Sequence, residues 1–196
     1  MIAAIASPGH RNRVRILWAE STMNLLAISG SLRAASSNTA FLHTIQRAVC
    51  APVEMHLFNA LGSLPPFNPD LDEAAPDSVT SFRAMVADAD AVVISTPEYA
   101  HGIPGVLKNA LDWLVGSGEL YRKPVVLLHL SARGEYGRAS LREILLIMGA
   151  AIVLDAVVQT QPSNTVTASG EAAPGLDIDA AVRIMVRLIE ELPSQP

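Results

Sequence analysis

"LLAISGSLRAASSNTAFLHTI", residues Leu25 to Ile45, places a short apolar run before a stretch with helical spacing and joins them by a turn with a single glycine, Gly30. The opening run is short and bounded by turn residues, as a strand should be. Phe41, Leu42, Ile45 and Val49 then recur on one face of a helix. The turn offers hydroxyls at Ser31, Ser36, Ser37 and Thr39, the amide of Asn38 and the guanidinium of Arg33. A helix beginning near Asn38 adds its free N–H groups. Neither G-x-G-x-x-G nor G-x-x-x-x-G-K-[ST] is spelled here, which sets aside the common pyrophosphate and triphosphate loops. Many short donors around one point suit a terminal phosphomonoester. Serines and asparagine also cap helices, but capping needs one or two such residues, and this turn carries five and an arginine.

Downstream, VEMHLF (Val53 to Phe58), AVVIS (Ala91 to Ser95), VVLLHL (Val125 to Leu130) and AIVL (Ala151 to Leu154) read as further strands. Between them Val79, Phe82 and Val86, then Leu107, Leu111 and Leu114, then Leu141, Leu145 and Met148 recur at helical spacing, and Val182 to Leu192 marks a last helix. Strands that alternate with helices need crossovers and therefore pair in parallel, and near-continuous apolar strands belong to a sheet covered on both faces. The expected fold is α/β, a three-layer α/β/α sandwich on a five-stranded parallel sheet. VEMHLF alternates Val53, Met55 and Leu57 with Glu54 and His56 and is expected at an edge. The proline-rich LPPFNPDLDEAAPD, Leu64 to Asp77, is the longest irregular connection.

The chain has 196 residues, half of them hydrophobic, and a formal charge of −5 with no cluster of lysines and arginines. Nucleic acid is not an expected partner. No apolar run approaches the roughly 20 residues needed to cross a bilayer, so no membrane association is expected either. A lone cysteine, Cys50, reads as a small apolar residue at a helix end and fits the cytoplasm. Residues 1–22 read as an N-terminal extension and 23–196 as one domain. No group of histidines, cysteines or carboxylates has metal-ligand spacing, and no G-x-S-x-G elbow occurs.

The third strand runs into TPEYAHGIPGVLKNALDWL, Thr96 to Leu114. Pro104 suits the first turn of a helix, and the prolines and glycines fix an unusual path whose main chain could face a planar ring, with Tyr99 and His101 beside it. Lys108 and Asp112, one turn apart, read as an exposed helix pair.

With these two stretches the sequence resembles the NAD(P)H-dependent FMN reductase family of the flavodoxin-like fold, which includes quinone, azo-dye and chromate reductases. GSLRAASSN is similar to that family's G-S-x-R-x-x-S-x-N loop, TPEYAHGIPGVLKNALDW to its T-P-E-Y-N-x-x-x-P-G-x-L-K-N-A-[IL]-D-W segment, and LPPFNPDL to its loop after the second strand. The resemblance implies bound FMN, with NADPH or NADH as co-substrate. It implies that Ser31, Arg33, Ser36 and Asn38 contact the phosphate, aided by Ser37 and Thr39. It places Pro97, Glu98, Tyr99, Ala100, His101 and Gly102 along the isoalloxazine and Ser131, Ala132 and Arg133 in the loop near it, with no side chain needed as acid, base or nucleophile. The acceptor would be a small molecule, whether quinone, azo compound, metal oxyanion or free flavin. Dimers or tetramers are implied, with the apolar GIPGVLKNALDWLV helix a candidate contact.

Two departures stand out: Ala100 replaces a frequent asparagine, and ARGEYGR, Ala132 to Arg138, has fewer small residues than the family's glycine-rich stretch. Other readings are a flavodoxin-type electron carrier and a flavin-free regulatory protein. His101 is either a hydrogen-bond donor or proton source at the ring edge or a solvent-facing loop residue; His56 and His129 read as structural.

Overall fold

Alternating strand and helix patterns become, in the computed structural model, a doubly wound sheet; residues 5–6, 14–15, 22–49 and 52–158 are described. Two short strands, β1 (Ile5–Ala6) and β2 (Val14–Arg15), pair antiparallel within the extension, which the sequence pattern did not predict. The main run is β3 (Met23–Ser29), α1 (Ser37–Ala48), β4 (Val53–Phe58), α2 (Asp77–Asp88), β5 (Ala91–Ser95), α3 (Gly105–Asp112), β6 (Pro124–His129), α4 (Glu135–Ile147) and β7 (Ala151–Val157). The five long strands are all parallel in the order β4-β3-β5-β6-β7. The expected α/β fold and five-stranded parallel sheet are both present. Cys50 and the helix expected over Val182 to Leu192 lie outside the described residues.

Side chains of successive strand residues go to opposite faces, and the core divides accordingly. Leu26, Ile28, Val92, Ile94, Val125 and Leu127 pack with Val79, Phe82 and Val86 of α2, Leu107 and Leu111 of α3, and Leu141 and Leu145 of α4. Leu25, Ala27, Val93, Val126 and Leu128 pack on the other face with Phe41, Leu42 and Ile45 of α1. Helix α1 thus covers one face and α2 to α4 the other. The reversal falls between β3 and β5, and in open α/β sheets ligands bind beyond the strand ends at such a point. β4 lies at the edge with its alternating exposure, as VEMHLF requires.

The long connection after β4 is ordered by named bonds. Asn109 accepts from the Phe67 N–H (2.7 Å) and donates to the Pro65 carbonyl (2.9 Å), which also receives the indole N–H of the buried Trp113 (2.8 Å). Arg83 reaches both the Trp113 carbonyl and Asp72. The second half of TPEYAHGIPGVLKNALDW therefore holds this loop. Lys108 and Asp112 form the expected exposed pair.

Candidate functional site

β3 and β5 end in register, Ser29 opposite Ser95, and the Gly30 N–H donates to the Ser95 carbonyl at 2.9 Å. A Cβ on Gly30 would lie 2.1 Å from Thr96 Oγ1 and 2.7 Å from Thr96 Cβ. The single glycine of the first loop is thus where that loop touches the second.

The polar residues of the first loop divide into braces and free donors. Ser36, 4 % exposed, caps α1 by accepting from the Thr39 N–H at 3.3 Å, which leaves its own O–H to donate. Thr39 Oγ1 lies 2.7 Å from Ser29 Oγ, and buried Asn38 Oδ1 lies 2.9 Å from Ser95 Oγ. These two side chains fix the start of α1 to the strand ends. Ser31 is half-buried and accepts from the Arg33 N–H, whereas Arg33 and Ser37 are exposed. Leu32 lies over Gly62, where a Cβ would meet it at 3.1 Å, so the connection after β4 supports the loop from below.

In the second loop Tyr99 and Gly102 exchange both backbone hydrogen bonds at 2.9 Å, closing a two-residue turn. Its central residues, Ala100 and His101, have φ of 48° and 60°. This is the geometry of a primed turn, normally filled by Asn-Gly. The expectation that glycines set the unusual path is corrected here: the left-handed conformation falls on Ala100 and His101, not on Gly102. His101 is exposed and stacks on Tyr136 of α4, with ring centroids 4.2 Å apart.

Glu98 turns away from this hairpin to α4. Its carboxylate accepts from the Gly137 N–H, in a first turn that has no side-chain cap of its own. An anion at a helix N-terminus is favoured by the macrodipole. A Cβ at Gly137 would meet Glu98 Cγ at 3.0 Å and Oε2 at 3.1 Å, so the glycine makes room for the clamp.

Between these elements opens a cleft of about 330 Å³. Asn38 lines it from α1, Thr96 to Glu98 from the loop after β5, His129 to Ser131 from the end of β6, and Arg133, Gly134, Gly137 and Arg138 from α4 and its approach. Of the sequence-predicted residues, Asn38, Pro97, Glu98 and Ser131 share this wall. Tyr99 to Gly102 build the adjoining hairpin, and Ser31 to Ser37 lead into it through Asn38.

Thr96, His129 and Arg138 belong to the wall but not to the predicted set. The readable signal was positional: LLAIS, AVVIS and VVLLH all end at the carboxyl edge of the sheet. His129, read as structural, is indeed buried and paired with a neighbouring strand, and it lines the cleft as well. Its Nε2 lies 3.0 Å from Asp155 Oδ1, and burial, aided by Arg138 and opposed by Asp155, lowers its pKa below the ordinary 6.5. His56 is exposed on the edge strand beside Glu54, so it has no packing role.

In α3 and the turn that follows it, Leu107, Ala110, Leu111, Trp113 and Leu114 all lie in the core, whereas Val115 is exposed. The apolar face of this segment is thus covered within the chain. Among the described residues no helix is long and apolar enough to cross a membrane.

Residues 23–164 match the family model described as NADPH-dependent FMN reductase. The NADH:(hydroxy)cinnamate reductase subunit CrdA of Vibrio ruber is 38% identical over 127 residues, 63% of this chain and 62% of that one. The quinone reductase of Escherichia coli is 34% identical over 148 residues, 71% of this chain and 75% of that one. Among solved structures, the flavoenzyme NAD(P)H:(acceptor) oxidoreductase FerB of Paracoccus denitrificans superposes with a TM-score of 0.69 at 27% identity, covering 87% of this chain and 96% of FerB.

Proposed function

The chain belongs to the NADPH-dependent FMN reductase family, an FMN- and NAD(P)H-using class of oxidoreductase, and we propose that it passes a hydride from NAD(P)H through bound FMN to a small acceptor. One observation carries the reading. The Gly30–Ser95 contact sets a donor-rich loop directly against the PEY loop at the switch point, with a cleft beside both.

The donor set fits a phosphorylated flavin. Arg33, Ser31, Ser37 and the free hydroxyl hydrogen of Ser36 would hold the phosphate with the first N–H groups of α1. Asn38 and Thr39 act as the braces described above. The main chain from Pro97 to Gly102 would border the ring, with Ser131 on the facing loop. When bound, FMN supplies the redox chemistry, taking the hydride and releasing electrons to the acceptor. The protein's own part is positioning: Glu98 locks the second loop to α4, and the Gly30 contact fixes the spacing between the two loops.

Relatives named as quinone reductases favour a quinone acceptor, with azo compounds, metal oxyanions and free flavin as further candidates. We assign the reductase unit to residues 23–196, working as a homodimer or homotetramer in the cytoplasm.

The test has two arms. Anaerobic addition of NADPH or NADH to the FMN-bound protein should bleach the flavin absorbance, and bound flavin that neither nucleotide bleaches ends the reading. Arg33→Ala with Ser37→Ala, which spares the Ser36 cap, should weaken FMN binding by a few kcal/mol, since charge-assisted hydrogen bonds contribute about 1.5–3 kcal/mol each. Unchanged affinity removes the phosphate assignment.

A further inference from the structure

His129 closes β6 on the cleft wall with its side chain only 8% exposed. Asp155, on the neighbouring strand, stands 3.0 Å from its Nε2 through one oxygen and 3.4 Å from Arg142 through the other. A carboxylate paired in this way only accepts hydrogen bonds. The neutral imidazole therefore carries its proton on Nε2 and presents a bare lone pair at Nδ1. Among the described residues Nδ1 has no hydrogen-bond partner. Buried acceptors are rarely left in that condition unless a ligand or an ordered water completes them.

We infer that His129 is a further binding residue of this cleft, its Nδ1 accepting a hydrogen bond from a hydroxyl of the flavin's ribityl chain. The inference rests on the FMN reading and adds to it a residue that neither family motif contains. Chemistry and placement together select the hydroxyl. The phosphate oxygens and the ring carbonyls are acceptors, which a lone pair repels; the donors of FMN are the ring N3–H, on the polar edge that the Pro97 to Gly102 main chain would border, and the O–H groups of its polyol linker.

Placement agrees. The same cleft is lined by Asn38, which is tied to the phosphate loop, and by Pro97 and Glu98 of the ring loop. A linker joining the two held ends must cross between them. The surroundings of the imidazole maintain the needed tautomer: Asp155 from β7 accepts a hydrogen bond from Nε2–H, while burial, aided by Arg138 of α4 and opposed by Asp155, disfavours a second proton. Arg142 holds Asp155 from α4, and the Glu98 carboxylate is engaged by the Gly137 N–H.

The inference is tested with the full chain and FMN analogues lacking single ribityl hydroxyls, with dissociation constants read from flavin fluorescence. His129→Leu should weaken FMN binding about tenfold, the scale of one buried hydrogen bond. One deoxy analogue should bind the wild-type protein about tenfold more weakly, yet bind His129→Leu no worse than FMN does. His129→Gln, which restores an acceptor, should recover part of the loss.

A second readout needs no variant: in the folded wild-type protein the ¹⁵N resonance of His129 Nδ1 should move to lower frequency when FMN is added, with the Nε2–H tautomer retained. Losses that are additive for every deoxy analogue, or an Nδ1 resonance unmoved by saturating FMN, overturn the inference while leaving the FMN reading intact. Failure of the wild-type protein to bind FMN overturns both.

Discussion

Gly30→Ala adds one methyl group at the most crowded point of the site. The new carbon would sit 2.1 Å from Thr96 Oγ1, 2.7 Å from Thr96 Cβ and 3.2 Å from Leu107 Cδ2. Rotation of the threonine relieves the first contact but not the second, because Cβ is fixed by the backbone. The Gly30–Ser95 hydrogen bond must then stretch or the two loops must part. Overpacking of a tight site costs about 1–3 kcal/mol. For a domain of this size each kcal/mol lowers the melting temperature by about 2–4 °C, so the variant should melt roughly 2–12 °C below wild type. Parting the loops also widens the phosphate-to-ring spacing, and FMN affinity should fall with stability. Thr96→Gly in the same chain removes both clashing atoms and leaves only Leu107 close, so it should restore much of the affinity. Scanning calorimetry with and without FMN reads both effects. A Gly30→Ala protein that melts with the wild type and binds FMN as tightly would refute the claim that the loops meet at this carbon.

Ala100→Asn should raise the melting temperature, because a left-handed L-residue costs about 1–2 kcal/mol and asparagine tolerates that conformation better than alanine; a lower melting temperature contradicts the turn assignment. Glu98→Gln, which keeps an acceptor for the Gly137 N–H, should change stability little. Glu98→Ala, by contrast, should expose that amide to rapid hydrogen exchange at a cost of about 1–3 kcal/mol. Unchanged exchange at Gly137 in Glu98→Ala would show that the carboxylate does not cap α4. Because the native pKa of His129 is lowered, the unfolded chain binds a proton that the native ring resists once the pH drops below about 6.5. Stability of the FMN-free protein should therefore decline from pH 7.5 to 5.5, and the decline should be shallower in His129→Gln; parallel urea-midpoint profiles for the two proteins count against it.

Much of the fold was legible because hydrophobic period is a local property. VEMHLF announces an edge strand by alternation, and AVVIS a buried one by its unbroken apolar run from Ala91 to Ile94. The first turn was legible as polar, but its division of labour was not. Ser36 caps, Asn38 and Thr39 brace, and Arg33 and Ser37 stay exposed; all five can donate hydrogen bonds, so only the partners found in the fold, Ser29, Ser95 and the Thr39 N–H, separate the roles. The Ala100-His101 turn left no trace in the sequence because neither residue favours the conformation it adopts. The apolar face of α3 was visible, but its destination was not, since helical period reports an apolar face and not what covers it.

Glu98 and Gly137 show why long-range clamps escape a local reading and also settle what one departure means. They are 39 residues apart, and nothing near Glu98 names its partner. Once the pair is known, the reduced glycine content of ARGEYGR has a physical meaning. Of its two glycines, Gly137 is the position where a side chain would press on Glu98 within 3.1 Å of its carboxylate, whereas a Cβ at Gly134 would make only ordinary contact at 3.6 Å. The glycine that the frame requires is present. The larger residues beside these glycines include Arg133, Tyr136 and Arg138, two on the cleft wall and one stacked on His101. Side-chain bulk therefore lies where it affects what enters the cleft, and not where it would release the loop that forms it. Exchanging Arg133 and Arg138 for smaller residues should accordingly shift the ranking of acceptors while leaving FMN affinity within a fewfold of wild type. A collapse of FMN affinity in that variant would assign the two arginines to the cofactor instead.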